Sequence, residues 1–461
     1  MTETFDLIVL GGGRAASLAI AAAKEGWKVA LVERDQLGGV CPNRGCVPSK
    51  LLIGFADAAR HVREAGRHYI CADFQGSDLR EIFASINEYV GGVDGRNQSR
   101  VEAVGVTLIR GEARFTGHKQ VEAAGRTLTA EKIVVATGSR PAPPPYSDLG
   151  VWTSDDLFPL KGQPPAKLLV IGGGAIGCEM AAFFAAVGVH TTLFTRTDRL
   201  LEKEDSDIER VFRAEFGKGV HTRFKAKLVH LVRQDTGFTA TFQTPGGEEI
   251  FHADRVLFAI GRKPNSESLD LRATGIVTDK KGFIPVNAHL ETTTPGIFAT
   301  GDVNGRHMLQ HAASFEVQFL RGKFLKGETA PIHESPIGHG VFSYPEVAAV
   351  GQTEGELKSS GTPYVVVFED WLASARAMAL RIDYPRVKLL VSPEDYSILG
   401  CHLVGPEAST LLHQVLTVMK LKNDVRELAE LIYVHPALNE CLLAAAVKAV
   451  AKVREFRNKI I

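Results

Sequence analysis

The pattern of apolar and polar positions contains the same unit twice along this chain. In residues 5–34, FDLIVLGGGRAASLAIAAAKEGWKVALVER, an apolar strand leads through a glycine turn into an alanine-rich helix and then, after a glycine, into a second strand. Residues 167–196, KLLVIGGGAIGCEMAAFFAAVGVHTTLFTR, repeat this order. Each segment predicts a βαβ unit, so we expect an α/β fold that contains the unit twice.

Each predicted unit carries a glycine fingerprint at its first turn. The fingerprint positions are Gly11, Gly13 and Ala16 in the first unit and Gly172, Gly174 and Gly177 in the second. Glycine at such a turn lets the backbone approach a pyrophosphate, which then lies at the positive end of the following helix. One fingerprint alone also occurs in ordinary tight turns. Two of them, each in a complete βαβ context, predict two bound dinucleotides.

The residue that ends the second strand of each unit indicates which dinucleotide binds there. Glu33 can accept hydrogen bonds from both ribose hydroxyls of an adenosine without a 2′-phosphate, which suits FAD. The corresponding position in the second unit is Thr195, followed by Arg196 and Arg199, and a 2′-phosphate could be accommodated there. We therefore expect FAD in the first unit and NAD(P) in the second.

The composition excludes several classes of partner. Among 461 residues, Lys and Arg together number 53 and Asp and Glu together also number 53, so no basic field for nucleic acid is expected. No apolar run approaches the roughly 20 residues of a membrane span. The N-terminal residues lack the basic region and cleavage site of a secretory signal, which favours a cytoplasmic protein. The expected partners are small molecules.

The segment GGVCPNRGCVPSK, residues 38–50, contains two of the six cysteines. On an ideal helix, residues five apart are about 7.5 Å apart along the axis, farther than the Cα separation of about 4.4–6.8 Å in a disulfide. Pro42, Gly45 and Pro48 provide irregular backbone that closes this gap. A bond across so small a loop is a poor structural staple, so we interpret Cys41 and Cys46 as a redox-active pair.

Other interpretations of the cysteines carry less weight. Two unrelated buried thiols are the structural alternative. No second His/Cys cluster stands at zinc-ligand spacing, so no metal site is expected. So few cysteines in a long chain do not form a disulfide framework, and the remaining four are expected to be reduced and buried: Cys71, Cys178, Cys401 and Cys441.

A series of short motifs resembles the flavoprotein disulfide reductases, the class I pyridine nucleotide–disulfide oxidoreductases that include dihydrolipoamide dehydrogenase and glutathione reductase. These motifs are GGVCPNRGCVPSK, VVATGSRP, IGGGAIGCE, AIGRKPN, IFATGDV, MLQHAASFE, FSYPEVAAVG and HPALNE, in the order expected for that family. The resemblance extends from residue 5 to about residue 455. It implies two Rossmann-like dinucleotide-binding domains and a C-terminal α+β dimerisation domain, as in glutathione reductase.

The domain boundaries follow from the resemblance together with changes in composition. A proline-rich linker, GSRPAPPPY, occupies residues 138–146, and strand-rich segments begin at about residue 337. We expect the first part of the FAD-binding domain at residues 1–145, the NAD(P)-binding domain at 146–270, a central domain that completes the FAD site at 271–336, and the dimerisation domain at 337–461.

The resemblance also implies roles for the residues around the cysteine pair. Cys41 matches the interchange thiol that exchanges with the substrate sulfur, and Cys46 matches the charge-transfer thiol beside the flavin. Lys50 lies one helical turn beyond Cys46, where its charge can stabilise a thiolate and the reduced flavin. In the family this lysine pairs with a glutamate, which Glu179 matches. Further residues implied in cofactor binding are Gly39, Lys50, Thr137, Gly138, Gly261, Asp302 and His311.

The motif HPALNE predicts the acid–base group of the thiol chemistry. A lone histidine is usually structural, yet thiol–disulfide exchange needs a base, and an imidazole held by a carboxylate has a suitable pKa. Glu440 could orient His435 for this purpose. By resemblance, the pair reaches the cysteines of the other subunit, so the active enzyme is expected to be a homodimer.

The substrate is the open question at this point. Dihydrolipoamide dehydrogenase is the leading interpretation, with a free or carrier-bound dithiol as substrate and possibly a lipoyl carrier domain as partner. Thr195 stands where those enzymes usually have a glutamate, and Arg14 and Arg44 occupy positions that are normally neutral in them, whereas Gly177 favours NAD. By charge, the two arginines could attract an anionic substrate to Cys41, or they could face solvent or pair with acidic side chains.

Three alternatives remain open from the sequence. The first is an NADPH-dependent reductase of a low-molecular-weight disulfide such as a glutathione- or mycothiol-like thiol. The second is a flavin-dependent NAD(P)H oxidase, or a metal or quinone reductase, with the cysteines as sensors. The third is a binding subunit of a multienzyme complex, for which no charged tail or appended domain gives support.

Overall fold

Strands and helices alternate along most of the chain in the computed structural model, which describes residues 2–333 and 335–459. The strands are β1 Thr2–Leu10, β2 Val29–Glu33, β3 Thr107–Arg110, β4 Ala113–Gly117, β5 Gln120–Ala123, β6 Arg126–Val135, β7 Ser139–Pro141, β8 Lys167–Ile171, β9 His190–Phe194, β10 His221–Arg223, β11 Lys227–Gln234, β12 Gly237–Thr244, β13 Gly247–Ala253, β14 Arg255–Phe258, β15 Arg262–Pro264, β16 Ile297–Ala299, β17 His339–Val341, β18 Val347–Gly351, β19 Val365–Asp370, β20 Arg386–Val391 and β21 Ile398–Val404. The helices are α1 Ala16–Lys24, α2 Val40–Arg44, α3 Cys46–Glu64, α4 Leu79–Gly91, α5 Val93–Glu102, α6 Ala175–Ala186, α7 Ser206–Gly219, α8 Gln310–Lys326, α9 Glu354–Ser360, α10 Ala375–Met378, α11 Ala408–Leu421, α12 Val425–Glu430 and α13 Glu440–Asn458.

The first βαβ unit forms the centre of a mostly parallel sheet in the order β3-β2-β1-β6-β5-β4. Strand β1 lies between β2 and β6 and is parallel to both. Helix α1 packs on this sheet through small, fully buried residues such as Ala19 and Ala22. They belong to the same apolar cluster as Leu7 and Val9 of β1. Small residues allow this close approach, so the glycine turn before α1 is held at the carboxyl end of β1.

The second unit forms a separate parallel sheet in the order β10-β9-β8-β14. Strand β8 lies between β9 and β14. An antiparallel layer of β11, β12 and β13 packs against it, and the Phe194 and Phe242 rings stack with centroids 3.8 Å apart. The two predicted dinucleotide-binding units therefore belong to different sheets, each with its own apolar core.

The chain returns to the first sheet after it leaves the second. Strand β16 pairs in parallel with β6, and β15 pairs with β7. Because β16 ends at Ala299, the following Gly301 and Asp302 are brought to the carboxyl edge of the first sheet. This return brings residues from distant parts of the sequence together around the first glycine turn.

The C-terminal part is a five-stranded antiparallel sheet in the order β17-β18-β21-β20-β19. Helices α11 and α13 cover its apolar face, and the core includes Val387, Cys401, Leu412 and Ala445. The predicted fold class, two Rossmann-like units followed by an α+β domain, is confirmed.

A buried lysine joins the second unit to the C-terminal sheet. Lys388, on β20, has no solvent exposure, and its Nζ donates to Asp205 Oδ1 at 2.8 Å, to Asp207 Oδ2 at 2.6 Å and to Glu354 Oε2 at 2.6 Å. Asp205 and Asp207 lie at the start of α7. Removing one partner of a buried, hydrogen-bonded ion pair typically costs about 3–5 kcal/mol, so this cluster fixes the two domains against each other.

The four cysteines outside residues 38–50, which we call the redox segment, are free thiols. Cys178, Cys401 and Cys441 are buried as predicted, and burial raises the pKa of each. The prediction for Cys71 is wrong, because this residue is exposed in an irregular segment between α3 and α4 that also exposes Tyr69. Within the described residues, no helix is both long enough and apolar enough to span a bilayer.

Candidate active site

The redox segment is a helix interrupted between its two cysteines. Cys41 lies in the short helix α2, and Cys46 is the first residue of α3. Gly45 separates them with φ −130° and ψ −117°, outside the helical region. Both thiols are free, so the pair is in its dithiol form. The irregular backbone expected from the glycine and prolines is therefore a single break at Gly45.

The pKa values of the two thiols are shifted in opposite directions. The pKa of Cys46 is lowered to about 7, chiefly by a hydrogen bond from the Cys41 thiol and also by the Lys50 charge and a backbone N–H at the start of α3, against the effects of burial and of the Glu179 charge. The same hydrogen bond, burial and the Cys46 charge raise the pKa of Cys41. The stable reduced arrangement is thus a Cys46 thiolate that accepts a hydrogen bond from a neutral Cys41 thiol.

Lys50 is held in place by a buried carboxylate. Its Nζ donates to Glu179 Oε1 at 3.1 Å and Oε2 at 2.9 Å. Glu179 lies on α6 in the second unit and also accepts a hydrogen bond at 2.9 Å from the backbone N–H of Phe342 in the C-terminal part. The Lys50 ammonium lies 4.6 Å from the centroid of the Phe342 ring. Three parts of the chain therefore meet at the cation beside Cys46.

This geometry predicts a pH effect for Lys50→Met. The Cys46 thiolate should be present above a pH of about 7 and should be lost as the pH falls through that value. Removing the lysine charge should raise the midpoint by about one unit or more, since an adjacent opposite charge favours the ionised form. The long-wavelength absorbance of the two-electron-reduced, flavin-loaded protein, followed against pH, measures the midpoint. Lys225→Met, which removes a surface lysine paired with Asp198, is the matched control and should leave it unchanged.

The redox segment rests directly on the first glycine turn. Gly39 has φ +69°, and a Cβ built on it would lie 3.0 Å from the Cα of Gly13, so the two glycine segments touch. Asn43, which is buried, donates from Nδ2 to the carbonyl oxygens of Leu37 at 3.0 Å and Gly39 at 2.9 Å. Sequence reasoning missed Asn43, because an asparagine between two cysteines has no pattern of its own.

Glu33 lies at the open edge of the first glycine turn. Its Oε2 accepts from the Gly12 N–H at 2.6 Å and its Oε1 accepts from the Asp35 N–H at 2.8 Å. A cleft beside it is lined by Gly11, Glu33, Thr137 and Asn265, among others. Each carboxylate oxygen keeps a second lone pair for a hydroxyl group. The cleft, the glycine turn beside it and the carboxylate therefore fit the adenosine end of FAD.

The remaining residues of the predicted FAD site come from distant segments. Thr137 Oγ1 donates to the Asn265 carbonyl at 2.7 Å, and the Asn265 N–H donates to the Gly138 carbonyl at 2.9 Å. Asp302 Oδ2 accepts from Ser139 Oγ at 2.5 Å. Ser139 Oγ in turn accepts from Arg262 Nε at 2.8 Å, next to Gly261. His311 lies at the start of α8, where its Nε2 is 2.8 Å from the Gly338 carbonyl oxygen.

The second glycine turn is tighter than the first. A Cβ on Gly177 would lie 1.9 Å from the Gly172 carbonyl oxygen, so alanine cannot replace glycine without moving the backbone. Thr195 is buried, and its Oγ1 lies 3.1 Å from Thr197 Oγ1. Gly174 is the N-cap of α6, and no side chain of the described residues caps this helix end, so pyrophosphate binding there stays a prediction.

The two arginines of the second unit differ in their surroundings. Arg196 is exposed and has no ion pair within the residues that the structure describes. Arg199 donates to the Glu204 carbonyl at 3.1 Å, and its Nε lies 3.7 Å from Oε2 of the buried Glu209. The Arg199 side chain is half-buried and already engaged by Glu204 and Glu209, so the expectation that it binds a 2′-phosphate together with Arg196 is corrected.

The predicted histidine and glutamate form a hydrogen-bonded dyad. His435 Nδ1 lies 2.7 Å from Glu440 Oε1, and the His435 side chain is 74% exposed. The Ala437 N–H donates to Glu440 Oε2 at 2.9 Å. His435 and then this N–H lower the pKa of Glu440, so it is a carboxylate that can hold the imidazole. In the described chain, no hydrogen bond or ion pair joins the dyad to Cys41 or Cys46.

The two arginines expected at the substrate entrance also differ. Arg44 forms an ion pair with Asp35, which agrees with the alternative that it pairs with an acidic side chain. Arg14, which follows Gly13, is exposed and has no ion pair with any described residue. Its neighbour Gly13 touches Gly39, two residues before Cys41.

Comparison with known proteins identifies the architecture. Residues 5–316 match the model of the family described as pyridine nucleotide-disulphide oxidoreductase, and residues 337–446 match the dimerisation domain of these proteins. This chain belongs to the pyridine nucleotide-disulphide oxidoreductase family. It is an FAD-dependent oxidoreductase that also uses NAD(P), and its dimerisation domain supports a homodimer.

Relatives along the whole chain share one name. Dihydrolipoyl dehydrogenases of Thermus scotoductus and Haloferax volcanii are each 33% identical, over 96% and 98% of this chain and 97% and 98% of their own lengths. The enzyme of Chlamydia pneumoniae is 30% identical over both full lengths. Among solved structures, the HOCl-induced flavoprotein disulfide reductase RclA of Escherichia coli superimposes with a TM-score of 0.84 at 26% identity, over 96% of this chain and 99% of that one. The expected family and enzyme class are confirmed, whereas the cytoplasmic location and the domain boundaries stay predictions.

In the described residues, no group of three or more His, Cys, Asp or Glu side chains is arranged to hold a metal ion.

Proposed function

We propose that this protein is a homodimeric dihydrolipoyl dehydrogenase, which oxidises a dihydrolipoyl group with NAD(P)⁺ through the Cys41–Cys46 pair. The observation that carries the proposal is the unequal acidity of the two thiols. A pKa of about 7 makes Cys46 the thiolate of the reduced pair, while Cys41 stays a neutral thiol. Such an arrangement suits a pair in which one sulfur exchanges with substrate and the other is kept as an anion by Lys50.

The proposed thiol chemistry begins with the oxidised cysteine pair and a substrate dithiol. His435 takes the proton from one substrate thiol, and the resulting thiolate attacks Cys41 Sγ in the oxidised pair, which releases Cys46 as a thiolate. His435 releases this first proton to solvent and takes the proton of the second substrate thiol, whose sulfur attacks the substrate sulfur of the mixed disulfide. Cys41 leaves and receives this second proton from His435, and the substrate departs as a cyclic disulfide. The substrate has lost two electrons and the cysteine pair has gained them.

FAD, when bound, supplies the two-electron transfer between the reduced cysteine pair and the nicotinamide. Glu33 and the first glycine turn are proposed to hold its adenosine and pyrophosphate, and Asp302 its central part. Lys50, which Glu179 holds in place, keeps its ammonium beside Cys46, so Cys46 stays a thiolate and no proton has to be removed from it before the pair is oxidised again.

The dimer completes the proposed site. The dyad is exposed and stands apart from the cysteines of its own chain, and the residues before it, Ile432 and Val434, are 94% and 78% exposed. Apolar side chains at this exposure favour cover by another protein surface. A second copy that covers them would bring His435 of one subunit to the cysteine pair of the other.

A two-part kinetic experiment tests the proposal. Anaerobic mixing with NADH and with NADPH measures flavin reduction alone, and steady-state assays with dihydrolipoamide and with small disulfides measure the complete reaction. We expect turnover with dihydrolipoamide and NAD⁺ or NADP⁺. Rapid flavin reduction with turnover only on a small linear disulfide would instead support an NADPH-dependent disulfide reductase, the second candidate, which the exposed cation at Arg196 favours.

The choice of dinucleotide depends on Thr195 and Arg196. A charge-assisted hydrogen bond to a 2′-phosphate contributes about 1.5–3 kcal/mol, or roughly tenfold or more in affinity. We therefore expect NADP(H) to be used by the wild type, and T195E combined with R196A to shift the ratio of kcat/KM values towards NAD(H) by about tenfold or more. R199A tests the corrected assignment and should leave the ratio unchanged. Strong rejection of NADP(H) by the wild type would contradict the prediction.

The exposed Arg14, which has no ion pair within the described part of the chain, predicts a preference for anionic substrates. Free dihydrolipoate carries a carboxylate that neutral dihydrolipoamide lacks, so R14A should lower the ratio of their kcat/KM values, most clearly at low ionic strength. R44A removes the same charge from a residue paired with Asp35, and its ratio should stay close to that of the wild type. Equal ratios in all three proteins at low and high salt would rule out this role for Arg14.

A further inference from the structure

The segment that carries His435 has little regular structure of its own. It runs between α12, which ends at Glu430, and α13, which begins at Glu440, with no helix or strand in between. His435 itself is largely exposed. A catalytic imidazole must be held within a fraction of an ångström and a few tens of degrees of its working position. Something outside this segment must therefore supply part of its rigidity.

Ser374 provides such a contact from a distant part of the chain. Its Oγ donates to the carbonyl oxygen of Ala437 at 2.7 Å, across 63 positions of sequence. Ser374 has no solvent exposure, and it lies in a turn in which its own N–H donates to the carbonyl oxygen of the buried Trp371 at 3.0 Å. A hydroxyl fixed in the core thus holds a backbone carbonyl of the exposed segment.

The other side of Ala437 is tied to the dyad. Its N–H donates to Glu440 Oε2 at 2.9 Å, and Glu440 Oε1 lies 2.7 Å from His435 Nδ1. The Ser374 hydroxyl also contributes, after His435 and this N–H, to the lowered pKa of Glu440. Ser374, Ala437, Glu440 and His435 therefore form one continuous chain of hydrogen bonds from the core to the imidazole.

We propose that Ser374 is a positioning residue, which fixes the Ala437 backbone so that Glu440 can orient His435 for proton transfer in the thiol half-reaction. This inference rests on the proposed function. Ser374 has a second contact, since its Oγ accepts from the Ala377 N–H at 3.4 Å at the start of α10. Helix capping alone is the competing, purely structural role, and the experiment must separate the two.

S374A removes the hydroxyl with little change in volume. We expect kcat with the dithiol or disulfide substrate to fall by about tenfold to a hundredfold, the range in which a small displacement of a catalytic group acts. Flavin reduction by NAD(P)H and the substrate KM should each stay within about twofold. S374T restores a hydroxyl and should recover most of the loss.

Thr274 offers a matched control. It is buried far from the dyad in sequence, and its Oγ1 also donates to a backbone carbonyl, that of Leu271 at 2.6 Å, and accepts from an N–H, that of Ile276 at 3.2 Å. T274V therefore removes a comparable pair of buried hydrogen bonds. It should lower the melting temperature as S374A does and leave the thiol half-reaction unchanged.

A double-mutant cycle with E440Q decides whether Ser374 acts through the dyad. If it does, S374A should change kcat by less than about twofold once Glu440 has been replaced. Multiplicative losses in the double mutant, equal losses in both half-reactions, or equal kcat losses in S374A and T274V would overturn the proposal. The proposed function fails separately, if H435A keeps full turnover with thiol substrates.

Discussion

H435A is expected to lower kcat with dithiol or disulfide substrate by about 100- to 10,000-fold, the usual contribution of a general acid–base group. Flavin reduction by NAD(P)H should keep its wild-type rate, because that step needs no proton at the substrate sulfur. The geometry of the dyad agrees with an effect on the thiol half-reaction alone. Its carboxylate holds the imidazole at 2.7 Å, and in the described chain the pair has no hydrogen bond or ion pair with the cysteine pair of its own subunit.

Stopped-flow absorbance for flavin reduction and steady-state turnover for the full reaction measure the two effects in the same preparation. E440Q keeps the size of the side chain and should show a smaller loss in the same half-reaction. His413, which is exposed on α11 and lies 2.9 Å from the Ser409 carbonyl through Nδ1, offers H413A as a control for losing a surface histidine. Equal loss of both half-reactions in H435A would mean that the histidine has a structural role.

C41S is expected to reduce turnover with every thiol or disulfide substrate to background. A serine hydroxyl cannot form the mixed disulfide, so no substrate sulfur can exchange with the pair. The flavin should still be reduced by NAD(P)H, because Cys41 is separated from that step by Cys46. C71S replaces an exposed cysteine outside the site and should keep full activity.

The outcome also distinguishes the remaining alternatives. A C41S protein that keeps turnover with oxygen, quinone or metal acceptors, at the same rate as the wild type, would favour a flavin-dependent oxidase or reductase in which the cysteines only sense redox state. Turnover of dihydrolipoamide by C41S would contradict the assignment of the interchange thiol directly.

Local patterns in the sequence were enough to predict the fold and much of the candidate site. The repeated strand, glycine turn and helix predicted both dinucleotide units, since apolar periodicity and the fingerprint lie within about 30 residues. The spacing of Cys41 and Cys46 predicted an irregular backbone, and the break at Gly45 agrees with it. His435 and Glu440 are close in sequence, and the hydrogen bond between them is direct.

Contacts between distant segments could not be read in this way. Phe342 donates its N–H to Glu179 across 163 positions, Ser374 reaches Ala437 across 63, and neither residue type signals such a partner. The same limit applies to two of the arginines. Whether Arg44 is free or paired depends on Asp35 being folded against it, and whether Arg199 is free depends on the buried Glu209, ten positions away, lying beside it.

The most direct measurement is an anaerobic reductive titration of the flavin-loaded wild type and C41S, followed by absorbance. If Cys41 and Cys46 form the redox pair, the wild type should take up about four electrons per flavin, two for the disulfide and two for the cofactor. A long-wavelength band from the Cys46 thiolate beside the flavin should appear after about the first two. C41S should take up only about two electrons per flavin. Uptake of about two electrons by both proteins, with no such band in the wild type, would contradict a redox-active Cys41–Cys46 pair.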